Sequence, residues 1–472
     1  MPQKSRRQFV KNSLFSAGFL GLSACSTNAT QGGASSSGAS KTGNASAKGY
    51  GSLIDDPNGL LRLPKGFSYK VISVAGERMD DGNIVPGAHD GMAAFSGPNG
   101  LTLLVRNHEM SPKSRKESPF DGNKAQASLS ADSVYDAGKG DTHCLGGTTT
   151  LVYDTRSQTL ERHFLSLSGT IRNCSGGLTP WGSWITCEET MAKADDNLRK
   201  DHGYNFEVPA NYEMGLAEPT PLIEMGRFNH EAVAVDPASG IVYQTEDRPD
   251  GLIYRYIPKV RGQLSKGGRL QVLAIKGDPS RDTRNWKEIE AEPFPENRRF
   301  DVEWIDAGDP TSPNDDLRYT GFKAGGARFA RGEGMHYGNG EIYFACTNGG
   351  AKKLGQIFRY RPSEQEGLPG ESTQPGQLEL FIESRDLALM KACDNLTVSP
   401  WGDIIICEDD NDSSALVGIT PQGALYHIGH VDMESELAGA CFSPDGTTLF
   451  VNIQKNPGQT LAITGPWRNR IA

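Results

Sequence analysis

Acidic, cysteine and asparagine side chains recur along this chain at the two ends of a short repeated phrase. The phrase is an apolar strand, a turn containing glycine and a second apolar strand, followed by a polar cluster. Six copies occur, at residues 92–109, 176–189, 232–247, 334–348, 396–410 and 439–453. Carboxylates, thiolates and amide oxygens are donors that bind metal ions in proteins, so these clusters predict metal chemistry.

The spacing of the polar residues predicts that they meet in space. In an antiparallel hairpin, the start of the first strand and the end of the second are cross-strand neighbours. Polar residues occupy both points with a separation of 15 residues in four copies: Cys174 and Glu189, Glu231 and Glu246, Glu333 and Asn348, Asp394 and Asp409. The other two copies open near Asp90 and Glu436 and close near Glu109 and Asn452. The pattern leaves Glu188 or Glu189, and Glu246 or Asp247, open, because a register slip of one residue exchanges faces.

The number of acidic groups indicates which metals would bind. About eight carboxylates on one rim cannot all stay ionised without cations, because like charges at short range disfavour joint ionisation. Carboxylate and amide oxygens suit Ca²⁺. The single thiol of Cys174 among them favours a softer transition metal, and the many oxygens favour iron over zinc.

Arg331 stands two residues before Glu333, so both side chains are expected on one face of the extended chain. A guanidinium among carboxylates can be a counter-charge. Beside a metal cluster it can also hold a phosphate or carboxylate substrate in two hydrogen bonds, and we favour this second interpretation.

Repeated hairpins of this kind are typical of radial β architectures, in which one ring of blades surrounds a channel. The 472 residues include 56 glycines and 27 prolines, as expected for many short strands and turns. We therefore predict an all-β fold, a β-propeller with extended loops between its blades. Its domain is predicted to span residues 49–472.

The N-terminus predicts export. Residues 5–11 form a twin-arginine pattern, and a short apolar run from Leu14 to Leu22 leads to Cys25 in a sequence that resembles a lipoprotein cleavage site. Residues 1–25 are thus predicted to be a signal peptide, and Cys25 to be lipidated. Residues 26–48, rich in Ser, Ala and Gly, are predicted to be a flexible linker. We expect a periplasmic or cell-envelope protein, with the twin-arginine machinery as a partner and contact with the membrane only through that lipid.

The net charge of −10 argues against nucleic acid as a partner, because phosphate backbones require clustered lysine and arginine. The carboxylates concentrate instead at the ends of the repeats. Small molecules are therefore the expected partners.

Several motifs in this order resemble the PhoX family of bacterial alkaline phosphatases. They are Asn173-Cys174-Ser-Gly-Gly with Thr186-Cys187-Glu188-Glu189, Arg227-Phe228-Asn229-His230-Glu231 with Thr245-Glu246-Asp247, Arg331-Gly332-Glu333-Gly334, and Glu436-Leu437-Ala438-Gly439 with Ser443-Pro444-Asp445-Gly446. The resemblance covers most of residues 50–467. It implies a six-bladed propeller and a cluster of Fe³⁺ and Ca²⁺ that hydrolyses phosphate monoesters. It also implies these metal ligands: Cys174, Glu189, Glu231, Asp247, Glu333, Asp394 and Glu436. Arg331 is implied to be catalytic and to contact phosphate, and Asn395, beside Asp394, is predicted to bind substrate.

The predicted function is metal-dependent hydrolysis of phosphate monoesters, with an oxo or hydroxo group bridging the metals as nucleophile. Two alternatives remain open at this stage. One is a calcium-dependent propeller lactonase or phosphotriesterase, and the other is a non-catalytic calcium-binding protein of the cell surface.

Overall fold

A computed structural model of the chain describes residues 44–120, 129–410, 412–455 and 457–471. The predicted signal peptide and most of the predicted linker lie outside these residues, so the domain boundaries stay predictions. The last residues of the predicted linker bond to the folded body. The Asn44 side chain donates to the carbonyl of Glu383, and the Ala47 amide donates to that of Leu425, both over 2.8 Å.

Strands dominate the described chain, which contains a single α-helix, α1 (Leu317–Lys323). None of its helices is both long and apolar enough to cross a membrane. A two-stranded sheet near the N-terminus pairs β1 (Leu53–Ile54) with β2 (Leu63–Pro64). The next strand, β3 (Ser68–Val74), belongs to a sheet that is otherwise built from the end of the chain.

Three of the larger sheets are simple antiparallel meanders, with their strands in chain order. The first contains β4 (His89–Ser96), β5 (Thr102–His108), β6 (Gly146–Asp154) and β7 (Thr159–Thr170). The second contains β8 (Asn173–Leu178), β9 (Ser183–Glu188) and β10 (Asn205–Pro209).

The largest sheet has nine strands and consists of two meanders joined edge to edge. The first meander is β11 (His230–Val235), β12 (Val242–Glu246), β13 (Ile253–Pro258) and β14 (Gly268–Ile275), followed along the chain by the separate strand β15 (Arg299–Asp306). The second is β16 (Gly332–Gly338), β17 (Glu341–Cys346), β18 (Gln356–Arg361) and β19 (Gln377–Glu383). Strand β15 pairs with both outermost strands, β14 and β19, and so fuses the meanders.

The remaining meander of the described chain contains β20 (Cys393–Val398), β21 (Ile404–Glu408), β22 (Ser414–Ile419) and β23 (Leu425–Val431). The last sheet contains β24 (Leu437–Phe442), β25 (Thr448–Ile453) and β26 (Gln459–Thr464). Strand β3 pairs antiparallel with β26 and completes this sheet, so the two ends of the folded body are hydrogen-bonded together.

The innermost strands of the meanders lie next to one another in the order β4, β8, β11, β16, β20 and β24, and β24 contacts β4 again. The fold is therefore all-β with a propeller-like arrangement, as predicted. The prediction of six blades requires a correction in one respect. The described residues form four sheets of three or four strands and one of nine, because β15 covers two outer edges that would otherwise remain unpaired.

The core lies between neighbouring sheets. Ile185 of one sheet packs in the same buried cluster as Val233 and Val242 of the next. Similar clusters fill each further junction, including the one between the last sheet and the first, where Phe450 packs near Leu104. Both faces of most strands are thus buried, and the burial of apolar side chains stabilises each sheet against two neighbours.

Close approach of the innermost strands requires glycine at one point. A Cβ atom on Gly177 in β8 would lie only 2.0 Å from the carbonyl oxygen of Val233 in β11. Two backbones can therefore pack directly against each other here, three residues after Cys174.

We expect Gly177→Ala to force β8 and β11 apart and to lower the free energy of unfolding by about 1–3 kcal/mol, the usual range for overpacking. Thermal or denaturant unfolding measures this change. Gly215→Ala is the matched control, because nothing lies within 4 Å of a Cβ atom at Gly215. Equal stability of the two variants would contradict this account of the packing.

Candidate metal centre

Three positions in each innermost hairpin lie at one end of the ring of strands. The lead position is the residue before the first strand, the ring position is the second residue of that strand, and the closing position follows the second strand. The lead residues are Ala88, Arg172, Asn229, Arg331, Ala392 and Glu436. The ring residues are Asp90, Cys174, Glu231, Glu333, Asp394 and Ala438. The closing residues are Glu109, Glu189, Asp247, Thr347, Asp409 and Gln454.

One backbone hydrogen bond recurs in every hairpin and fixes these positions relative to one another. The amide of the closing residue donates to the carbonyl of the lead residue, over 2.9–3.2 Å from Glu109 through to Gln454. In the first five hairpins, the pairing register also slips at the ring residue. Such bulges re-aim side chains, and here each one occurs where a potential ligand leaves the strand.

The lead residue carries backbone strain in four of the six hairpins. Ala88, Arg172, Arg331 and Ala392 have φ between 43° and 53°, in the left-handed region that non-glycine residues rarely adopt. Strain of this kind persists where the surroundings impose it, and it is often found at functional sites.

The ring and closing residues form three groups of potential ligand atoms, each with all its atoms within 4.8 Å of one another. The groups are Cys174 with Glu189 and Glu231, then Glu231 with Glu333 and Asp394, and Asp90 with Glu109 and Glu436. Glu231 belongs to two groups, so these two are continuous. We call the three groups together the axial cluster.

Burial and mutual repulsion dominate the electrostatics of the axial cluster. Burial, followed by the negative charges of Glu109 and Glu231, raises the pKa of Asp90 well above its ordinary value. Burial and the nearby carboxylates of Asp409 and Asp90 do the same to the pKa of Glu436. The pKa of the Cys174 thiol is raised by burial and then by Glu231. Cations in the cluster would remove this repulsion.

Two half-buried guanidinium groups contact the cluster from lead positions. Arg331 donates from Nε to Asp247 Oδ1 over 2.7 Å and from Nη2 to Glu333 Oε1 over 2.6 Å. Arg172 Nη2 lies 2.6 Å from Glu109 Oε1 and also donates to Glu189. Each arginine therefore bridges carboxylates of different hairpins or of different positions.

Uncharged amides bind further carboxylate oxygens. Gln454 Nε2 donates to Asp90 Oδ2 over 3.0 Å and to Glu109 Oε2 over 3.2 Å, and it also contacts Glu436. Asn229 Nδ2 donates to Glu189 Oε1 over 2.9 Å. These amides orient the acidic side chains without neutralising them.

Most of the predicted site residues come together. The structure places Cys174, Glu189, Glu231, Glu333, Asp394 and Glu436 in the axial cluster. Asp247 lies beside it and pairs with Arg331, so in the described residues it is a counter-ion rather than a member of a ligand group. Asn395 donates to Asp394 Oδ1 over 3.0 Å and accepts from the Gly439 amide over 2.9 Å, which ties two neighbouring innermost strands together.

The constant separation of 15 residues is wrong for two hairpins. The closing positions are Asp247 and Thr347 rather than Glu246 and Asn348, because the hairpin turns differ in length. Glu246 instead accepts from Tyr254 and the Leu252 amide, away from the cluster. Glu188 likewise accepts from the amides of Gly203 and Tyr204, whereas Glu189 joins the cluster. Neighbouring residues of a strand point to opposite faces, which explains both results.

Glu436 also needs a correction. It was aligned with Cys174, Glu231 and the other ring residues, but it occupies a lead position, and the ring position of that hairpin is Ala438. It reaches the cluster from the same point as Arg172 and Arg331.

Asp90, Glu109, Arg172 and Gln454 are cluster residues that the committed set of site residues does not include. Asp90 and Glu109 are 19 residues apart, outside the spacing that identified the other pairs. Arg172 could have been found, because it precedes Cys174 as Arg331 precedes Glu333. Gln454 could not, since its role depends on the turn of the last hairpin.

The donor set fits metal ions. Asp90, Cys174, Glu189, Glu231 and Glu333 are each at most 4 % exposed, and carboxylates rarely remain buried unless they are paired or bind metals. The all-oxygen groups suit hard cations such as Ca²⁺. The group that contains Cys174 suits a transition metal, because a thiolate is a softer ligand.

Comparisons with known proteins agree with this site. The profile of a family described as "Alkaline phosphatase PhoX" matches residues 48–458. A structure of Pseudomonas fluorescens PhoX in complex with vanadate, a transition state analogue, has a TM-score of 0.64 and 16% sequence identity, covering 90% of this chain and 98% of that chain. Among curated proteins, none matches the sequence.

Other propeller enzymes are more distant in structure. A gluconolactonase from Xanthomonas campestris covers 86% of this chain and 97% of its own at 11% identity, with a TM-score of 0.38, a similarity too low to carry an argument. The family profile extends over most of the chain and includes every hairpin of the axial cluster except the end of the last sheet. The chain therefore belongs to the PhoX family of alkaline phosphatases, the phosphoric monoester hydrolases that its sequence motifs predicted.

Proposed function

We propose that the chain hydrolyses small phosphate monoesters at the axial cluster, with bound iron and calcium ions. The observation that carries this proposal is the convergence of buried carboxylates, one thiol and two arginines from separate hairpins, in a member of the PhoX family. Hydrolysis of a phosphate ester needs positive charge around the phosphoryl oxygens, and such a site concentrates it.

The donor types support a division of the cluster between two kinds of metal. We assign iron to the group of Cys174, Glu189 and Glu231, because it contains the thiol. We assign calcium to the two all-carboxylate groups. Bound cations would withdraw negative charge from the phosphoryl oxygens and activate the attacking oxygen nucleophile.

The residues of the chain have their own tasks in this proposal. Arg331 is held by Asp247 and Glu333 but keeps about a fifth of its side chain exposed (19%), so its remaining N–H groups are available to a phosphoryl oxygen. Arg172, 32% exposed, is placed in the same way on the opposite carboxylates. Both guanidiniums are already oriented before substrate arrives, so little reorganisation is needed when negative charge develops.

The other polar residues hold the acids in place. Asn229 fixes one oxygen of Glu189, and Gln454 spans Asp90 and Glu109. Asn395 joins the strands that carry Asp394 and Ala438, which supports positioning rather than direct substrate contact.

We also interpret the fold as six blades, in which β15 merely joins the outer edges of two. The six equivalent hydrogen bonds between closing and lead residues support this count. On the same level stands the proposal that the protein is exported by the twin-arginine machinery to the cell envelope and carries a lipid on Cys25, which rests on the N-terminal sequence alone.

One assay tests the proposed function. Phosphate release from a generic monoester is measured with protein isolated from its native host, in parallel with lactone and phosphotriester substrates and with quantification of bound metals. We expect phosphate release that is lost on chelation. Turnover of a lactone or triester without monoester hydrolysis would refute the proposal.

We expect Glu231→Gln and Cys174→Ala to lower phosphatase activity at least about 100-fold, more than loss of a residue that merely orients a ligand, and to release metal. Elemental analysis and phosphate release measure both effects. Cys346→Ala is the matched control, because that thiol is equally buried but lies in an apolar cluster between two sheets. Full metal content in either cluster variant would remove that residue from the ligand set.

Arg331→Lys keeps a positive charge but loses the planar fork that binds two partners. We expect kcat for a phosphate monoester to fall about 10²–10³-fold, as for other groups that stabilise charge in the transition state. Metal content is expected to be unchanged, and inhibition by vanadate to weaken. Arg261→Lys, at a surface turn, is the control. An unchanged kcat would show that Arg331 serves only as a counter-ion.

The pH dependence of stability provides a further prediction. In metal-free protein, the folded chain holds protons on Asp90 and Glu436 at pH values where the unfolded chain has released them. The free energy of unfolding must then fall as pH rises from about 4, the ordinary pKa of a carboxyl group. Bound cations keep these groups ionised and remove that decline, so we expect metal to raise the Tm more at about pH 8 than at about pH 5.

Thermal unfolding of chelated and metal-loaded protein measures this difference. Burial raises the pKa of Glu246 and Glu408 to about 7 and contributes in the same direction. The double variant Asp90→Asn, Glu436→Gln therefore isolates the share of the cluster. A chelated protein whose Tm declines with pH as steeply in this variant as in the wild type would contradict the prediction.

A further inference from the structure

A second group of potential metal ligands lies outside the axial cluster. Asp136 and Cys144 belong to the connection between β5 and β6, and His202 belongs to the connection between β9 and β10. Their ligand atoms all lie within 4.8 Å of one another, and their exposed fractions are 1%, 0% and 0%. Nothing in the proposed phosphatase function uses these residues.

The distances match those between ligands of one tetrahedral ion. His202 Nε2 lies 3.4 Å from Asp136 Oδ2 and 3.9 Å from Cys144 Sγ. Bond lengths around tetrahedral Zn²⁺ place a nitrogen about 3.4 Å from an oxygen and about 3.6 Å from a sulfur. The three donors thus already surround a point that suits a zinc-sized ion.

The surrounding hydrogen bonds support ligand roles. His202 Nδ1 lies 2.6 Å from Glu188 Oε1, so a carboxylate orients the imidazole and directs Nε2 toward the other two donors. Histidine ligands of metals are commonly held in this way. Asp136 accepts from the amides of Gly138, Arg199 and Lys200, and these bonds fix its carboxylate.

We propose that Asp136, Cys144 and His202 bind one divalent transition metal ion of the zinc class, with water as the fourth ligand. The ion would join the β5–β6 connection to the β9–β10 connection. Glu188, which holds His202, directly precedes Glu189 of the axial cluster, so this ion would also fix the end of β9. Its role is structural, because Ile171 and Leu198 pack around Cys144 and no described cavity opens onto it.

The competing arrangement is an ion network without metal. Burial would lower the pKa of His202, but Glu188 and Asp136 raise it to about 12, so a protonated imidazole could bind both carboxylates. In that state Cys144 is a neutral thiol, whereas metal binding requires a thiolate. The two arrangements therefore differ in the state of one sulfur.

Cobalt binding distinguishes them. The full chain with Cys174→Ala is stripped of metal and titrated with Co²⁺, so that the thiol of the axial cluster cannot contribute. We expect a sulfur-to-cobalt charge-transfer band that saturates at about one equivalent, since each site holds one ion. Adding Cys144→Ala should abolish the band, while adding Cys441→Ala, a buried thiol of an apolar cluster, should leave it unchanged.

Other measurements keep the proposal testable if Cys144→Ala fails to fold. His202→Gln and Asp136→Asn, each combined with Cys174→Ala, should shift or weaken the same band. Elemental analysis of wild-type protein and of Glu231→Gln should show that a zinc-class ion persists when the axial cluster is damaged. Absence of the thiolate band in the Cys174→Ala protein would overturn the proposal and leave the protonated network, whatever the outcome of the phosphatase assay.

Discussion

Repulsion between buried carboxylates is the constraint on which the site depends. Acidic side chains from all six innermost hairpins meet at one end of the ring, and the guanidiniums of Arg172 and Arg331 are too few to balance them. The raised pKa values of Asp90 and Glu436 express this imbalance. A fold that accepts such a cost needs a compensating charge, and bound cations supply it at the place where phosphate esters also need positive charge.

The backbone arranges this concentration by one repeated device. In each hairpin, the closing amide bonds to the lead carbonyl, and a bulge then turns the ring residue out of the strand. The device fixes position and leaves chemistry free, so equivalent points carry an acid, a thiol or an alanine. Arginine at two lead positions follows the same logic, because a residue there necessarily lies beside the carboxylates of its own hairpin.

The sequence revealed the hairpins, their convergence and most of the ligands, because apolar strands with polar ends have a local signature. It failed where the answer depended on turn length or pleat. Thus Glu246 was paired with Glu231 although Asp247 is the closing residue, and Asp90 and Glu109 were too far apart to be recognised. The joining of two meanders by β15 also escaped prediction, because pairing between outer edges has no local pattern. The group around His202 was invisible for the same reason, since its donors come from separate connections.

The geometry also links the site to closure of the whole ring. Strand β3 must pair with β26 before the last sheet is complete, and only then is β24, with Glu436 and Gln454 beside it, held against β4 and Asp90. Asn452 bonds to the carbonyl of Asp90 over 2.5 Å at this junction. The group of Asp90, Glu109 and Glu436 therefore spans the point at which the ring closes. A cation bound there acts across that junction, so metal binding and closure of the fold must stabilise each other.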